Sequence, residues 1–254
     1  MAKSKHYYIR KTHRYLGVIL GVQFLFWTLG GLYFSWSSID EIHGDLQRKQ
    51  IPKPDGSIPM VSPDSVLRHL PQRVDYINSL QLVNILQKPH YSITYFSQGK
   101  LSKLLADART GMVRQPVSKD EAISIATESF NGTPTLKSVE YITTTNGHHE
   151  YREKPLPAWA ITFDHPTNTT VYVSSEVGRV EAFRNNKWRL FDLLWMMHTM
   201  DYKERDNFNN WLLRAFALFG LLTILSGFAL YWVSRKRRRK RTPTQHTSTN
   251  HQTI

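Results

Sequence analysis

Histidine is the residue type with the widest chemistry in this chain, because its neutral ring binds metals and its ordinary pKa lies near neutrality. The sequence contains 11 histidines and no cysteine, which excludes thiolate ligands, disulfides and cysteine nucleophiles. One group, His148-His149-Glu150 together with His165, has the side chains of a metal site. Adjacent histidines in a polar stretch are more often solvated loop residues, so we predict no metal ion at this group.

A further histidine, His198, lies in the apolar stretch WRLFDLLWMMHTM. Its neighbours Met196 and Met197 have the soft thioethers of a copper-type ligand set, but the surrounding leucines and tryptophan favour packing or membrane contact. The sequence contains no nucleophile elbow, no HExxH zinc helix and no glycine-rich phosphate loop. It therefore does not predict a hydrolase or a nucleotide-binding enzyme.

Two apolar stretches must place these histidines relative to a lipid bilayer. Tyr15–Trp36 has no charged side chain in 22 residues, and a helix of that length spans about 33 Å, enough for a hydrocarbon core of about 30 Å. Trp211–Val233 has one charge, Arg214, close enough to its start to snorkel to the interface. We predict two transmembrane helices, the first an uncleaved anchor because no small-x-small cleavage site follows it.

The charge distribution predicts the orientation of the two spans. Five Lys and Arg residues precede the first span and seven more lie in Arg235–Arg241, whereas all 20 acidic residues lie between Asp40 and Asp206. The net charge of +13 therefore belongs to the two tails and Arg214. Positive residues near spans remain in the cytoplasm, so we predict cytoplasmic tails (residues 1–14 and 234–254, the latter disordered), a periplasmic middle and a bacterial inner-membrane location. The basic run next to a span indicates anionic lipid headgroups as its partner, not nucleic acid.

The middle of the chain repeats one pattern twice, which predicts an α+β domain. After a linker at residues 37–60, a helix capped by Ser62 begins residues 61–116, and a helix capped by Ser118 begins residues 117–186. Glu121 follows Ser118 at capping-box spacing. Alternating strand-like stretches follow each helix and predict two antiparallel meanders, after which residues 187–208 form an amphipathic interfacial segment.

Several motifs support a family resemblance. Asp107–Val113 matches a D-x-x-TG-x-V strand turn, and Ser174–Val180 matches it more loosely; further motifs are THRYLG at residues 12–17, LWMMHT at 194–199 and LSGFALYW at 225–232. In this order they cover nearly the whole chain. The chain resembles the PepSY-associated transmembrane family, also called PiuB-like or iron-regulated membrane proteins.

The resemblance implies tandem PepSY modules between the spans and a link to iron acquisition. Some members of the family are thought to bind b-type haem in the membrane and to reduce ferric siderophores. The implied function is a haem-binding or accessory component of transmembrane electron transfer, which would need an electron donor because no flavin or nicotinamide site is visible. The alternative is a non-enzymatic anchored module that holds or regulates a periplasmic partner such as a peptidase or a transporter.

The resemblance also makes His13 and His198 candidate haem ligands. His13 lies just before the first span and His198 just before the second, on opposite sides of the membrane. They are about a membrane thickness apart, so they cannot share one iron. Family members usually have four spans, and two arrangements fit a two-span chain: a homodimer that pairs each histidine with its mate, or a pairing of His198 with His43. In a third interpretation no haem binds, His13 belongs to the basic flank and His198 packs in a surface helix.

Overall fold

The computed structural model describes residues 5–50, 57–68, 70 and 74–239. The helices are α1 (Lys5–Trp36), α2 (Ile39–His43), α3 (Pro63–Arg68), α4 (Lys119–Glu128), α5 (Asn186–Thr199) and α6 (Trp211–Arg239), with a 3₁₀ turn at Asp45–Gln47. The strands are β1 (Tyr76–Ile85), β2 (Lys88–Ser97), β3 (Lys100–Asp107), β4 (Val113–Arg114), β5 (Thr135–Ile142), β6 (Ala158–Asp164), β7 (Thr170–Ser174) and β8 (Arg179–Arg184).

Helices α1 and α6 have the length and composition of membrane spans. Among the described residues, Arg10–Trp36 and Trp211–Trp232 form apolar helical stretches of 27 and 22 residues with mean hydropathies of 1.6 and 1.9. Their apolar side chains mostly face away from the protein, as Phe24 (66 % exposed) and Phe228 (62 % exposed) show. Such surface requires lipid around it. We call the end of these helices near Trp36 and Trp211 the domain end, and the other the tail end.

The domain between the spans contains two antiparallel four-stranded sheets, ordered β1-β2-β3-β4 and β5-β6-β7-β8. Each sheet is a meander of sequential neighbours, preceded by α3 in the first module and by α4 in the second. The predicted capping box is present at α4, since Ser118 Oγ accepts from Glu121 N and Glu121 Oε2 accepts from Ser118 N. The α+β fold class with two flanking membrane helices is therefore confirmed.

Equivalent hydrogen bonds establish the internal repeat. Val61 N donates to Ala108 O at 2.9 Å before the first helix, and Val117 N donates to Ser175 O at 2.8 Å before the second. The carbonyl groups of Val61 and Val117 are also matched, because the first accepts from the hydroxyl of Tyr91 (2.7 Å) and the second from the indole N–H of Trp159 (2.9 Å). Each module thus binds the start of its helix in the same way.

The strand turn of the motif also has the same geometry in both modules. Gly111 N donates to Asp107 O at 2.8 Å, and Gly178 N donates to Ser174 O at 3.0 Å. Both glycines have positive φ, +74° and +73°, a conformation that glycine adopts without strain. In the first turn the Asp107 carboxylate accepts two backbone N–H groups, and in the second the hydroxyl of Ser174 accepts one. A serine therefore replaces the aspartate of the motif.

The largest core cluster joins the two modules around α4. Side chains of α4 pack between the inner face of the second sheet and the ends of β1 and β3, so the two modules share this cluster, and each module also has a smaller cluster of its own. The buried members are Val83, Ile85, Leu105, Val117, Ala122, Ile125, Ala126, Phe130, Ile161, Phe163, Val171, Val173 and Phe183.

The predicted linker at residues 37–60 is partly helical. It contains α2, where Ile42 is buried, and the 3₁₀ turn, after which Lys49 N donates to Ser129 O at 2.8 Å. Residues 51–56 of this linker lie outside the described residues. So do residues 240–254, to which most of the predicted disordered tail belongs.

Helix α5 runs antiparallel to the domain-end half of α1. Near its start Lys187 O accepts from the Tyr33 hydroxyl at 3.1 Å, and near its end Met197 O accepts from Gln23 Nε2 at 2.7 Å. These contacts align the two helix axes over about 15 Å. The segment predicted to rest on the membrane surface therefore stands alongside a span, and its depth in lipid remains a prediction.

Candidate functional site

The first candidate ligand, His13, lies on α1 near the tail end and contacts α6. Its Nδ1 is 2.7 Å from Ser226 Oγ, and its Cε1 is 3.5 Å from the position that a Cβ on Gly227 would take. The Ser226 hydroxyl also lies 2.7 Å from Thr223 O, and when it donates there its Oγ accepts from His13 Nδ1–H. The neutral ring then has its lone pair on Nε2, the form that binds a metal.

The second candidate ligand, His198, lies in the last turn of α5 among aromatic side chains. Its ring stacks on Trp195 with centroids 6.1 Å apart and an interplanar angle of 10°, and lies 5.9 Å from Trp27 and 6.1 Å from Phe34. Its Nδ1 is buried and has no hydrogen-bond partner among the residues that the structure describes. An unpaired buried polar atom costs about 1–3 kcal/mol, a cost that a ligand bond would relieve. The residues at His198 therefore fit a ligand-binding imidazole.

Side chains of α1 hold the backbone at the end of α5. The indole N–H of Trp27 donates to His198 O at 2.9 Å, and Gln23 donates to Met197 O. The last carbonyl groups of a helix have no partner within the helix, so these bonds satisfy groups that would otherwise be unpaired in an apolar region. They fix His198 relative to α1.

The structure does not bring His13 and His198 together. The ring of His198 contacts Trp27, which lies 14 residues after His13 on α1, a separation of about 21 Å along the helix axis at about 1.5 Å per residue. One iron cannot bind both rings of one chain, as the sequence predicted. Of the two candidate ligands, His13 therefore lies at the tail end and His198 at the domain end.

The structure also separates His198 from His43. His43 is exposed at the end of α2, where its neighbour Glu41 contacts Asn185 and Lys187 at the start of α5. His198 lies 11 residues beyond Lys187, about 17 Å along α5. Both residues belong to the domain-end part of the chain, but they lie at different positions along the axis of α5. Their pairing within one chain therefore has no support in this geometry.

The histidines of the second module have local partners. His149 Nδ1 accepts from Tyr151 N at 3.0 Å, and His165 Nδ1 lies 2.7 Å from Thr167 Oγ1. Within the residues that the structure describes, no group of three or more His, Asp and Glu side chains could hold a metal ion. Met196 and Met197 are half-buried beside His198.

Glu150 has a structural role that sequence reasoning missed. Its carboxylate accepts from Arg189 on α5 at 2.7 and 3.0 Å and from the Tyr172 hydroxyl at 2.7 Å. Burial, followed by the negative charge of Glu150, raises the pKa of Tyr172 well above its usual value, so this phenol remains a proton donor. The bonds join α5 to the second sheet.

A second ionic network, which we name the Arg152 clamp, consists of Arg152, Asp192, Arg205 and Asp206. Arg152 Nη2 lies 2.8 Å from Asp192 Oδ1 and 3.0 Å from Asp206 Oδ2, and Arg205 forms a close ion pair with the other oxygen of Asp192. Burial alone would lower the pKa of Arg152, but the two carboxylates hold it above its usual value. Two features of the sequence could have indicated this network: a single acid, Asp192, within an apolar helix, and the greater length of the second module near residues 146–155.

Asp201 fixes the loop that joins α5 to α6. Burial opposes its ionisation, but backbone N–H groups of Asn207 (2.9 Å), Glu204 and Lys203 (both 3.2 Å) hold its pKa below its usual value. The loop is therefore ordered around one charged carboxylate.

Two cavities, one between the spans and one in the first module, are large enough to hold a ligand or a partner segment. A membrane-level groove of about 260 Å³ between α1 and α6 has an apolar lining that includes Gly17, Gly21 and Gly220, and no atom lies within 4 Å of a Cβ built on these glycines. A cleft of about 540 Å³ at the first strand turn is lined by both apolar and charged residues, among which Arg114 binds the Glu121 carboxylate at 2.6 and 2.7 Å.

The two spans and the paired helix-and-sheet modules define a membrane-anchored protein with a tandem domain between its membrane helices. The chain belongs to the family described as the PepSY-associated TM region, whose model matches residues 2–235. The resemblance drawn from the sequence motifs is thereby confirmed. No curated protein and no solved structure matches the chain.

Proposed function

We propose that this PepSY protein is a haem-binding component of transmembrane electron transfer. The observation that carries the proposal is the 2.7 Å contact of His13 Nδ1 with Ser226 Oγ, which occupies one ring nitrogen and leaves Nε2 to bind a metal. A carbonyl or hydroxyl partner on the second ring nitrogen is the usual arrangement behind a metal-binding histidine. His198, whose Nδ1 has no hydrogen-bond partner among the described residues and whose ring lies among aromatic side chains, would be the haem ligand at the domain end.

Haem held by two imidazoles supplies reversible one-electron transfer between ferric and ferrous iron. His13 and His198 would hold the iron at the two levels. Trp27, Phe34 and Trp195 would exclude water at the domain end, and Ser226 would keep the His13 ring in its binding orientation.

Two copies of the chain complete these sites. Because His13 and His198 lie at different levels, a homodimer that pairs His13 with its mate and His198 with its mate gives four spans and two haem sites. The groove beside Gly17 and Gly21 supports close approach of a partner helix, because small residues let helix backbones pack closely in lipid.

The proposed orientation places both tails in the cytoplasm and the modules in the periplasm of a bacterial inner membrane. Clustered Lys and Arg beyond both spans support it. The electron acceptor we propose is a ferric siderophore, in line with the association of the family with iron acquisition. A cytoplasmic reporter fused after Ile254 is expected to be active, whereas the same reporter inserted in the exposed turn at Gly99 is expected to be inactive; the reverse pattern would refute the orientation.

Haem binding is tested by the absorption spectrum of the full chain, expressed with haem supply and purified in mild detergent. We expect a Soret band, reduced to about half by either His13→Ala or His198→Ala and lost in the double variant. His165→Ala is the matched control and is expected to keep the full band, since His165 contacts Thr167 and Phe130 in the second module. A Soret band that survives the double replacement contradicts the assignment.

The second candidate function is a non-enzymatic anchored binding module. The cleft beside Arg114 and Glu121 favours it, because apolar and charged side chains together line a cavity of about 540 Å³, large enough for a peptide segment. A colourless preparation from haem-supplied cells would favour this function over electron transfer.

A further inference from the structure

The two modules differ in one long insertion. In the first module, β1 joins β2 through the two-residue turn Leu86-Gln87, whereas residues 143–157 connect β5 to β6 in the second. The insertion contacts the membrane-proximal part of the chain, because a Cβ on Gly147 would lie 2.7 Å from Lys203 O in the loop between α5 and α6. The extra residues of the second module therefore lie against the loop between α5 and α6.

The insertion holds α5 through the Arg152 clamp. The side chains of Asp192, Arg152 and Arg205 are only 4 %, 12 % and 18 % exposed, so their charges are largely removed from water. Ion pairs in such surroundings keep a fixed geometry, since breaking one leaves an uncompensated buried charge. Asp206 lies at the edge of the clamp with its side chain 43 % exposed.

The clamp reaches His198 through one tryptophan. Asp206 binds Arg152 with Oδ2 and accepts the indole N–H of Trp195 with Oδ1 at 3.1 Å. The indole ring of Trp195 then stacks on the imidazole of His198 at an interplanar angle of 10°. Three consecutive contacts thus connect the insertion of the second module with the ring of the candidate ligand.

We propose that Arg152, Asp206 and Trp195 are positioning residues for His198, so that the periplasmic module sets the orientation of the domain-end ligand. This inference rests on the proposed haem-binding function. Partners behind a metal ligand fix its ring, and their loss typically lowers metal affinity by about 10–100-fold. No contact of this kind is described between the insertion and His13, which lies at the tail end.

Conservative substitutions test the positioning role without removing a large side chain. Asp206→Asn keeps an acceptor for Trp195 but removes the charge that binds Arg152, and Trp195→Phe keeps an aromatic ring on His198 but removes the indole N–H. In full-length protein titrated with haem, each is expected to weaken the domain-end site by about 10–100-fold and to shift its midpoint potential. The site that depends on His13 is expected to be unchanged.

Arg68→Ala is the matched control, because it removes an exposed Arg–Asp pair in the first module and should leave both sites unchanged. Wild-type affinity and potential at both sites in Asp206→Asn and in Trp195→Phe would overturn the proposal. If the wild-type protein takes up no haem, the proposed function fails separately, and amide hydrogen exchange of residues 193–199 then decides. Faster exchange in Asp206→Asn supports the contact, and unchanged exchange overturns it.

Discussion

Asp192→Ala is expected to lower the free energy of unfolding by about 3–5 kcal/mol, because it removes the counter-ion of Arg205 and leaves Arg152 with only the half-exposed Asp206. The Asp192 side chain is only 4 % exposed and binds both Arg152 and Arg205. Thermal or urea unfolding in detergent, followed by near-ultraviolet circular dichroism, measures the loss.

Asp64→Ala is the control for the loss of Asp192. It removes the partner of Arg68 in a pair whose side chains are 60 % and 76 % exposed, and exposed pairs contribute at most about 1 kcal/mol. An effect of Asp192→Ala as small as that of Asp64→Ala would show that the clamp does not hold the two segments together.

Gly178→Ala is expected to destabilise the junction of the two modules by two separate effects. Its φ of +73° costs an L-residue about 1–2 kcal/mol. The added Cβ would also lie 2.5 Å from Ile85 Cδ1 and 3.1 Å from Leu105 Cδ1. Both side chains are at most 2 % exposed and have little room to move, so overpacking adds about 1–3 kcal/mol.

Gly99→Ala is the control that has the backbone cost without the packing cost. Gly99 has nearly the same φ (+74°), but among the described residues no atom other than those of its chain neighbours lies within 4 Å of the added Cβ. Unfolding of the two variants should therefore differ by the overpacking cost alone. Equal destabilisation of Gly99→Ala and Gly178→Ala would mean that the first module does not pack on Gly178 and that the shared core is not formed as described.

Local patterns predicted the elements of the fold. The uncharged stretches gave α1 and α6, and strand alternation with glycine turns gave two meanders, because span length, side-chain period and φ preference act over a few residues. The Ser118–Glu121 capping box is of the same kind and was found as predicted. Even the loosely matching second turn was placed correctly, since Ser174 and Gly178 retain its backbone hydrogen bond.

Long-range contacts were beyond sequence reasoning. The pairing of Arg152 with Asp192 joins residues 40 positions apart, and the bond of Gln23 to Met197 joins residues 174 apart. No local pattern specifies such partners. For this reason the sequence did not predict that α5 packs along α1, and it left the pairing of His198 with His43 open as one alternative beside a homodimer.

The state of the His13 ring illustrates the same limit for the site. The sequence identified the histidine through its family motif, but only the structure shows that its Nδ1 contacts Ser226 Oγ on α6. The proposed haem sites therefore depend on helix packing as much as on the presence of two histidines.

The haem content of the purified full-length protein tests the central claim most directly. Two copies that share two bis-histidine sites should contain one b-type haem per chain, with the dimer mass in detergent and a Soret band that shifts on reduction. A preparation from haem-supplied cells that remains a colourless monomer would contradict the account.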